Sequence, residues 1–275
     1  MSHYRIGFIG AGNMGGSLAR AACKGVDPKQ VLITGYNKAA AQDLAGQIGC
    51  DAAEDNEQVV RQCKIVMLGV KPHILPGVLR QIAPVLAEEL AKGEEKLLVS
   101  MAAGVTMASI QSYLGEASKV PLLRIMPNTP AAVGKGMMLI HTEHCPPALA
   151  DEFEQVMSQS GRIDRIPESL SDAAATVSGC APAFAYQFIE GLADGAVMAG
   201  VPRDKAMAYA AQALLGAAAM VLETGKHPGA LKDAVCSPGG STIVGVAKLE
   251  EGGLRGACIQ AVMGAYQKNI QLGKQ

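Results

Sequence analysis

Tyr4-Arg5-Ile6-Gly7-Phe8-Ile9-Gly10-Ala11-Gly12-Asn13-Met14-Gly15, followed by Ser17 to Cys23, is the stretch that decides the fold. Tyr4 to Ile9 is a short apolar run of β type, and Ser17 to Cys23 continues as a helix. Between them stands G-x-G-x-x-G, in the strand–turn–helix context that makes this spacing informative. Gly10 makes the turn, Gly12 lets a pyrophosphate approach, and Gly15 lets helix and strand pack closely. Ala11, Asn13 and Met14 complete the loop. Together they read as a dinucleotide-binding turn, with a purely structural glycine turn as the alternative.

The pattern repeats outward from there. Strands are predicted over Val31 to Tyr36, Ile65 to Val70, Lys96 to Met101 and Pro121 to Met126, with later ones over Met137 to His141 and Arg162 to Ile166. Helical stretches such as Ala39 to Ile48 and Ile74 to Leu90 lie between them. This alternation implies an α/β fold with a Rossmann-like, doubly wound parallel sheet. Ligands of such sheets sit beyond the carboxyl ends of the strands. The segments falling there are Val70-Lys71-Pro72, then Ala102-Ala103-Gly104 after Ser100-Met101, then Met126-Pro127-Asn128. Small residues and prolines there suit a flat nicotinamide, with Met126, Pro127 and Asn128 expected to contact the substrate beside it; taken singly, each is equally an ordinary strand-exit turn.

The end of the second strand bears on the choice of cofactor. An NAD-binding site usually places an acid there for the ribose diol. This chain has Tyr36, Asn37 and Lys38 instead. Asn37 and Lys38 are expected to face the adenosine ribose, and Lys38 favours a 2′-phosphate. The expectation is NADPH, with NADH as the weaker alternative; Lys38 as a solvated first-turn lysine is the structural alternative.

From about Ser169 the strand-like runs disappear and Ala/Gly/Met-rich segments take over. Helices are predicted over Leu170 to Val177, Pro182 to Met198, Asp204 to Leu222, Pro228 to Ala234, Thr242 to Glu251 and Leu254 to Leu272, with Pro182 and Pro202 near helix starts. The change of period divides the chain into a dinucleotide-binding domain, residues 1–166, and an all-helical domain, residues 167–275. Several helices are apolar on more than one face, so a homo-oligomer is expected.

Composition narrows the partners. The 275 residues carry a net charge of −1, which gives no reason to expect nucleic acid or an anionic membrane. Aromatics are 4% and Trp is absent, which disfavours a base-stacking surface. Apolar residues make up 49%, but the longest such segments, Ala206 to Leu222 among them, are Ala/Gly-rich and read as buried helices, not membrane spans. The N-terminal residues have no basic-then-apolar leader pattern, and the seven cysteines lack paired spacing; both point to a cytoplasmic protein with free thiols. No metal-ligand spacing is present.

Late in the chain comes Leu231-Lys232-Asp233-Ala234-Val235-Cys236-Ser237-Pro238-Gly239-Gly240-Ser241-Thr242. A glycine turn feeding a helix start offers unpaired N–H groups and a positive dipole end, a place for an anion; a tight turn between helices is the alternative. This string resembles the C-terminal signature of pyrroline-5-carboxylate reductases. Ser178-Gly179-Cys180-Ala181-Pro182-Ala183-Phe184, Gly191 to Ala196, and Ala199-Gly200-Val201-Pro202-Arg203 resemble the same family in order and spacing, and with the glycine loop the resemblance covers essentially the full chain. Cys180 and Cys236 depart from residues common in the family, at positions needing no side-chain role.

The resemblance implies NADPH-dependent reduction of 1-pyrroline-5-carboxylate to L-proline, the last step of proline biosynthesis. It implies a helical dimerisation domain, with a dimer as the building unit and a pocket drawing on two chains. Gly240, Ser241 and Thr242 are the candidates for the substrate carboxylate, and the Thr242 hydroxyl for orienting the imine nitrogen or giving it a proton; an N-cap role for Thr242 stays open. A related imine or 3-hydroxyacid dehydrogenase is the enzyme alternative, although Gly191 to Gly200 lacks the lysine such enzymes carry. A non-catalytic NADP(H)-binding regulator is the alternative of another class.

Overall fold

The computed structural model describes residues 3–272. The chain starts with β1 (Tyr4–Ile9), α1 (Asn13–Gly25), β2 (Val31–Thr34) and α2 (Lys38–Ile48). A two-residue strand β3 (Asp51–Ala52), α3 (Asn56–Gln62), β4 (Cys63–Leu68), α4 (Leu75–Ala91), β5 (Leu97–Ser100) and α5 (Met107–Ser112) follow. Then come β6 (Leu122–Met126), β7 (Gly136–His144), α6 (Pro147–Val156) and β8 (Gly161–Arg165). The eight strands form one sheet in the order β3-β2-β1-β4-β5-β6-β7-β8.

Period-2 alternation in the buried strands explains the two layers. Ile6 and Phe8 of β1, Ile65 and Met67 of β4, and Leu97 and Val99 of β5 face one core with Leu18 and Ala22 of α1 and Phe153 of α6. The intervening Ile9, Val66, Leu68 and Leu98 face the other, with Val59 of α3, Leu79 and Ile82 of α4, and Ile110 of α5. All pairings are parallel except β6–β7, which is antiparallel. The expectation of a parallel sheet thus needs one correction. Only nine residues separate β6 from β7, too few for a parallel crossover but enough for a reversal.

The four remaining large helices are α7 (Ser171–Met198), α8 (Arg203–Thr224), α10 (Ser241–Glu251) and α11 (Leu254–Leu272), with the short α9 (Pro228–Ala234) before α10. Gly200 at φ +94° and Gly225 at φ +63° end α7 and α8 in the left-handed region. Pro182 does not start a helix, as the sequence suggests, but lies inside the 28-residue α7. Residues 3–179 and 266–272 make one compact unit and residues 180–265 a second. The division falls later than the change of sequence period because the base of α7 belongs with the sheet. Arg124 of β6 is 3% exposed and pairs with Glu168 at 2.9 Å, and the same carboxylate oxygen accepts from Met107 N–H. His141 of β7, fully buried, lies 3.0 Å from the Ile166 carbonyl and 3.1 Å from the Ser171 hydroxyl that begins α7. From the other end of the sequence, Asn269 donates to the Thr176 hydroxyl at 3.3 Å.

The second unit has a small core of Ala193, Ala206 and Ala210, partly covered by Ile189, Val197 and Val201. Within one chain, then, α8 is not the buried helix that its composition suggests: Tyr209, Leu215, Met220 and Leu222 are exposed. By length and composition α8 is apolar enough to cross a membrane, a match that the reading of Ala206 to Leu222 had set aside.

Burial lowers the His141 pKa below 6.5, with Arg124 opposing protonation and Glu143 and Glu168 favouring it. The neutral ring donates to the Ile166 carbonyl and accepts from Ser171. Above pH 6.5 the ring is neutral folded or unfolded; below it the unfolded chain gains a proton that the native site resists. His141 therefore makes the protein lose stability as pH falls through 6.5, at up to about 1.4 kcal/mol per pH unit. Urea unfolding of wild type and His141→Gln between about pH 7 and pH 5 should show a shallower loss in the variant; parallel curves would remove His141 from the acid response.

Candidate dinucleotide site

The chain runs β1, β2, β3 to one side and then returns to β4 on the other side of β1. The topological switch point therefore lies between β1 and β4, where dinucleotides bind in open α/β sheets. Gly10 N–H donates to the Thr34 carbonyl at 2.9 Å and Gly69 N–H to the Ile9 carbonyl at 2.8 Å, tying the three strand ends together.

Each glycine of the first turn has its own reason. Gly10 has φ +105°, and a Cβ there would lie 2.7 Å from the Gly69 backbone. A Cβ on Gly15 would lie 2.0 Å from the Gly10 carbonyl oxygen, so α1 can approach β1 only without a side chain. A Cβ on Gly12 would meet nothing within 4 Å. Gly12 is the residue whose bareness serves open space and not packing, as a close phosphate requires.

That space is a cavity of about 490 Å³ at the switch point. Of the residues singled out from sequence, Gly10, Ala11, Gly12, Asn37, Val70 and Lys71 line it. Asn13, Met14 and Gly15 form the first turn of α1 behind the loop. Lys38, Pro72, Ala102, Ala103 and Gly104 are not among its lining residues. Gly35, Tyr36, Ala40, Ala41, Gly69 and Ile74 line it without having been singled out for it. Gly69 had a legible signal, since it follows β4 as Gly10 follows β1. Tyr36 is fully exposed at the cavity rim.

Asn37 caps α2, its side chain accepting from Ala40 N–H at 3.1 Å, which leaves its amide hydrogens free of that bond. The lining residues include no Asp or Glu, while Lys71 contributes a cation. The open space over Gly12 and the bare turn at Gly10 fit a dinucleotide diphosphate, and the donor set fits an additional phosphate better than a ribose diol.

Met126 and Pro127 end β6 at the carboxyl edge of the sheet. The Asn128 carboxamide, expected to contact substrate, is held by backbone instead: it accepts from Met137 N–H at 2.9 Å and donates to the Ser178 carbonyl at 2.7 Å. In the helical unit α10 begins at Ser241, with Gly240 as its N-cap and no side-chain capping bond. Thr242 is thus the second helical residue and not the cap. Ser241 and Thr242 are exposed.

A doubly wound sheet with a glycine-lined cavity at its switch point defines a dinucleotide-binding oxidoreductase fold. Residues 5–104 match the family described as NADP oxidoreductase, coenzyme F420-dependent, and residues 168–272 the one described as pyrroline-5-carboxylate reductase dimerisation. Pyrroline-5-carboxylate reductase of Methanosarcina acetivorans is 40% identical over 100% of both chains, and that of Pisum sativum is 39% identical over 98% of this chain and 96% of its own. The crystal structure of Plasmodium falciparum pyrroline carboxylate reductase with NADP bound superposes with a TM-score of 0.84 at 29% identity, covering 99% of each chain. The chain belongs to the pyrroline-5-carboxylate reductase family.

The glycine geometry separates two substitutions. Gly12→Ala should leave the melting temperature nearly unchanged while weakening dinucleotide binding by about tenfold or more, because its methyl enters only the ligand's space. Gly15→Ala should lower stability by several kcal/mol, roughly the cost of overpacking or more, and lose binding with it. Calorimetry and fluorescence titration on both variants read the difference; equal melting losses would contradict it.

Proposed function

We propose that this protein reduces 1-pyrroline-5-carboxylate to L-proline, with NADPH as the preferred reductant and NADH as a weaker one. The observation that carries the reading is the joining, in one chain, of an acid-free dinucleotide cavity to a glycine-started helix with an uncapped first turn. Support comes from full-length relatives named for this reaction and from the NADP bound in the Plasmodium relative.

When bound, NADPH supplies a hydride. The protein's part is to bind, orient and hold charge. The substrate carboxylate is an anion, and the first-turn N–H groups of Ser241 and Thr242 with the dipole end of α10 suit it, while the Gly240 N–H is already given to the Ser237 carbonyl at 3.0 Å and serves the turn. The substrate's C=N bond, once protonated on nitrogen, is already electrophilic, so no strong general base is needed. Hydride adds to the ring carbon and the nitrogen becomes the secondary amine of proline. The Thr242 hydroxyl is assigned to the imine nitrogen as an orienting partner, since an ordinary hydroxyl is a weak acid. Met126 and Pro127 form the apolar wall beside the ring. Asn37, Lys38 and Lys71 attend the 2′-phosphate end, the Gly10 to Gly15 turn the diphosphate, and Val70, Pro72 and Ala102 to Gly104 the nicotinamide end.

Residues 1–166 serve the dinucleotide and residues 167–275 the substrate and assembly. The exposed apolar residues of α8 and the matched dimerisation family support a homodimer as the building unit. Seven free thiols support a cytoplasmic location.

Purified protein given the cyclic imine and NADPH should form proline as NADPH absorbance falls; cofactor binding without turnover would leave the regulator reading. Light scattering on the same preparation should report at least a dimer, and a stable active monomer would overturn the assembly. Thr242→Ala should lower kcat/KM by about ten- to a hundredfold, and Thr242→Ser should restore most of it. Because Gly240 and not Thr242 caps α10, the melting temperature should barely move; normal turnover in the alanine variant would remove the hydroxyl from the reaction.

Asn37→Asp keeps a good helix cap but sets a carboxylate where a 2′-phosphate would lie. It should lower kcat/KM for NADPH far more than for NADH, and an unchanged ratio would place the adenosine end elsewhere.

A further inference from the structure

A proline inside a helix leaves the carbonyl four residues earlier without its N–H partner and crowds it with the ring. In α7 the proline is Pro182, and the carbonyl is that of Ser178. The structure supplies a substitute donor from outside the helix: Asn128 Nδ2 lies 2.7 Å from that oxygen. The other end of the same carboxamide, Oδ1, accepts from Met137 N–H at 2.9 Å. Asn128 is only 8% exposed. It directly follows Met126 and Pro127, and the Met137 bond closes the loop back onto the start of β7.

We propose that Asn128 is a positioning residue for the reduction. Its carboxamide takes up the carbonyl that Pro182 deprives of a partner, and so fixes the Met126–Pro127 turn against the base of α7. The activity readout rests on the function proposed above. The role needs a donor at one end of the side chain and an acceptor at the other, which an amide has and a carboxylate lacks. Neither Asn128 nor Pro182 lines the dinucleotide cavity, so the effect belongs to turnover and not to cofactor affinity.

A cycle of Asn128→Ala, Pro182→Ala and the double variant tests this. In the Pro182→Ala background residue 182 regains an N–H and the helix can satisfy Ser178 itself. Asn128→Ala alone should lower kcat by about ten- to a hundredfold, the scale of a misplaced wall, with NADPH Kd within about twofold. Pro182→Ala gives the Ser178 carbonyl a partner again but not the tie to the loop, so the double variant should keep most of that loss. The Ser178 carbonyl carbon shift, read by NMR without substrate, should move in Asn128→Ala and return in the double variant. Asn128→Asp is nearly isosteric, keeps the Met137 bond and loses the donor, so it should also lose kcat and serves as the control for a folding defect of the truncation. Met126 and Met137 amide shifts left unmoved in substrate-free Asn128→Ala would mean that Asn128 acts by touching substrate, and an unaltered kcat in Asn128→Ala or Asn128→Asp would mean that the clamp is idle; either overturns the proposal. A wild type without turnover of the cyclic imine overturns the function reading alone, because the carbonyl shift still reads the clamp.

Discussion

The approach of α1 to β1 is the constraint on which the rest depends. The Gly10 carbonyl oxygen sits where any Cβ on Gly15 would have to be, and Gly69 packs its bare backbone against the same carbonyl. Three glycines from two strand ends and one helix thus share one small volume. Their contact sets the spacing of β1 and β4, and the gap between those strands is where the chain reverses direction across the sheet. The cavity exists because the backbone closes behind Gly10 while Gly12 stays open. A single loop sets packing and binding with different residues, one turn apart.

The polar contacts follow a second logic. Buried Arg124, His141 and Ser171, with the partly exposed Glu168, fasten the start of α7 to β6 and β7. Asn128 adds a fastening further along, at Ser178. Buried polar groups are costly unless partnered, so this stretch of sheet carries specificity and not merely hydrophobic area. β1 and β4, on the far side of β5, carry almost no polar side chains inward. The sheet is oily where strands must stack and polar where a long helix must be aimed.

Much of this could be read from sequence. Tyr4–Ile9 matches β1 to the residue, and each later strand was foreseen within a few positions except β3, which has only two residues. The short helices α3, α5 and α6 were not foreseen, since so few turns carry little periodicity and are set by local caps such as Asp55 and Thr106. The reversed β7 is legible only in the length of its connection, since strand composition says nothing of direction. Pro182 misled because proline usually marks a helix start, and its compensation by Asn128 is a contact between residues fifty positions apart. In the site, the glycines and Asn37 were legible from their motif. Ala40 and Ala41 were not, since they sit in the first turn of α2 and carry no motif of their own.

The tie between Asn269 and Thr176 joins residues 93 positions apart, across all of the second unit. For a chain emerging from the ribosome this sets an order of events. Neighbouring strands of the sheet are close in sequence, so the dinucleotide platform can assemble while the helices are still being made. The base of α7 must then wait for nearly a hundred more residues before its last side-chain partner arrives. During that interval the apolar helices are the freshly made and least covered part of the nascent protein, so bare apolar surface is a burden of the half-synthesised chain more than of the finished one.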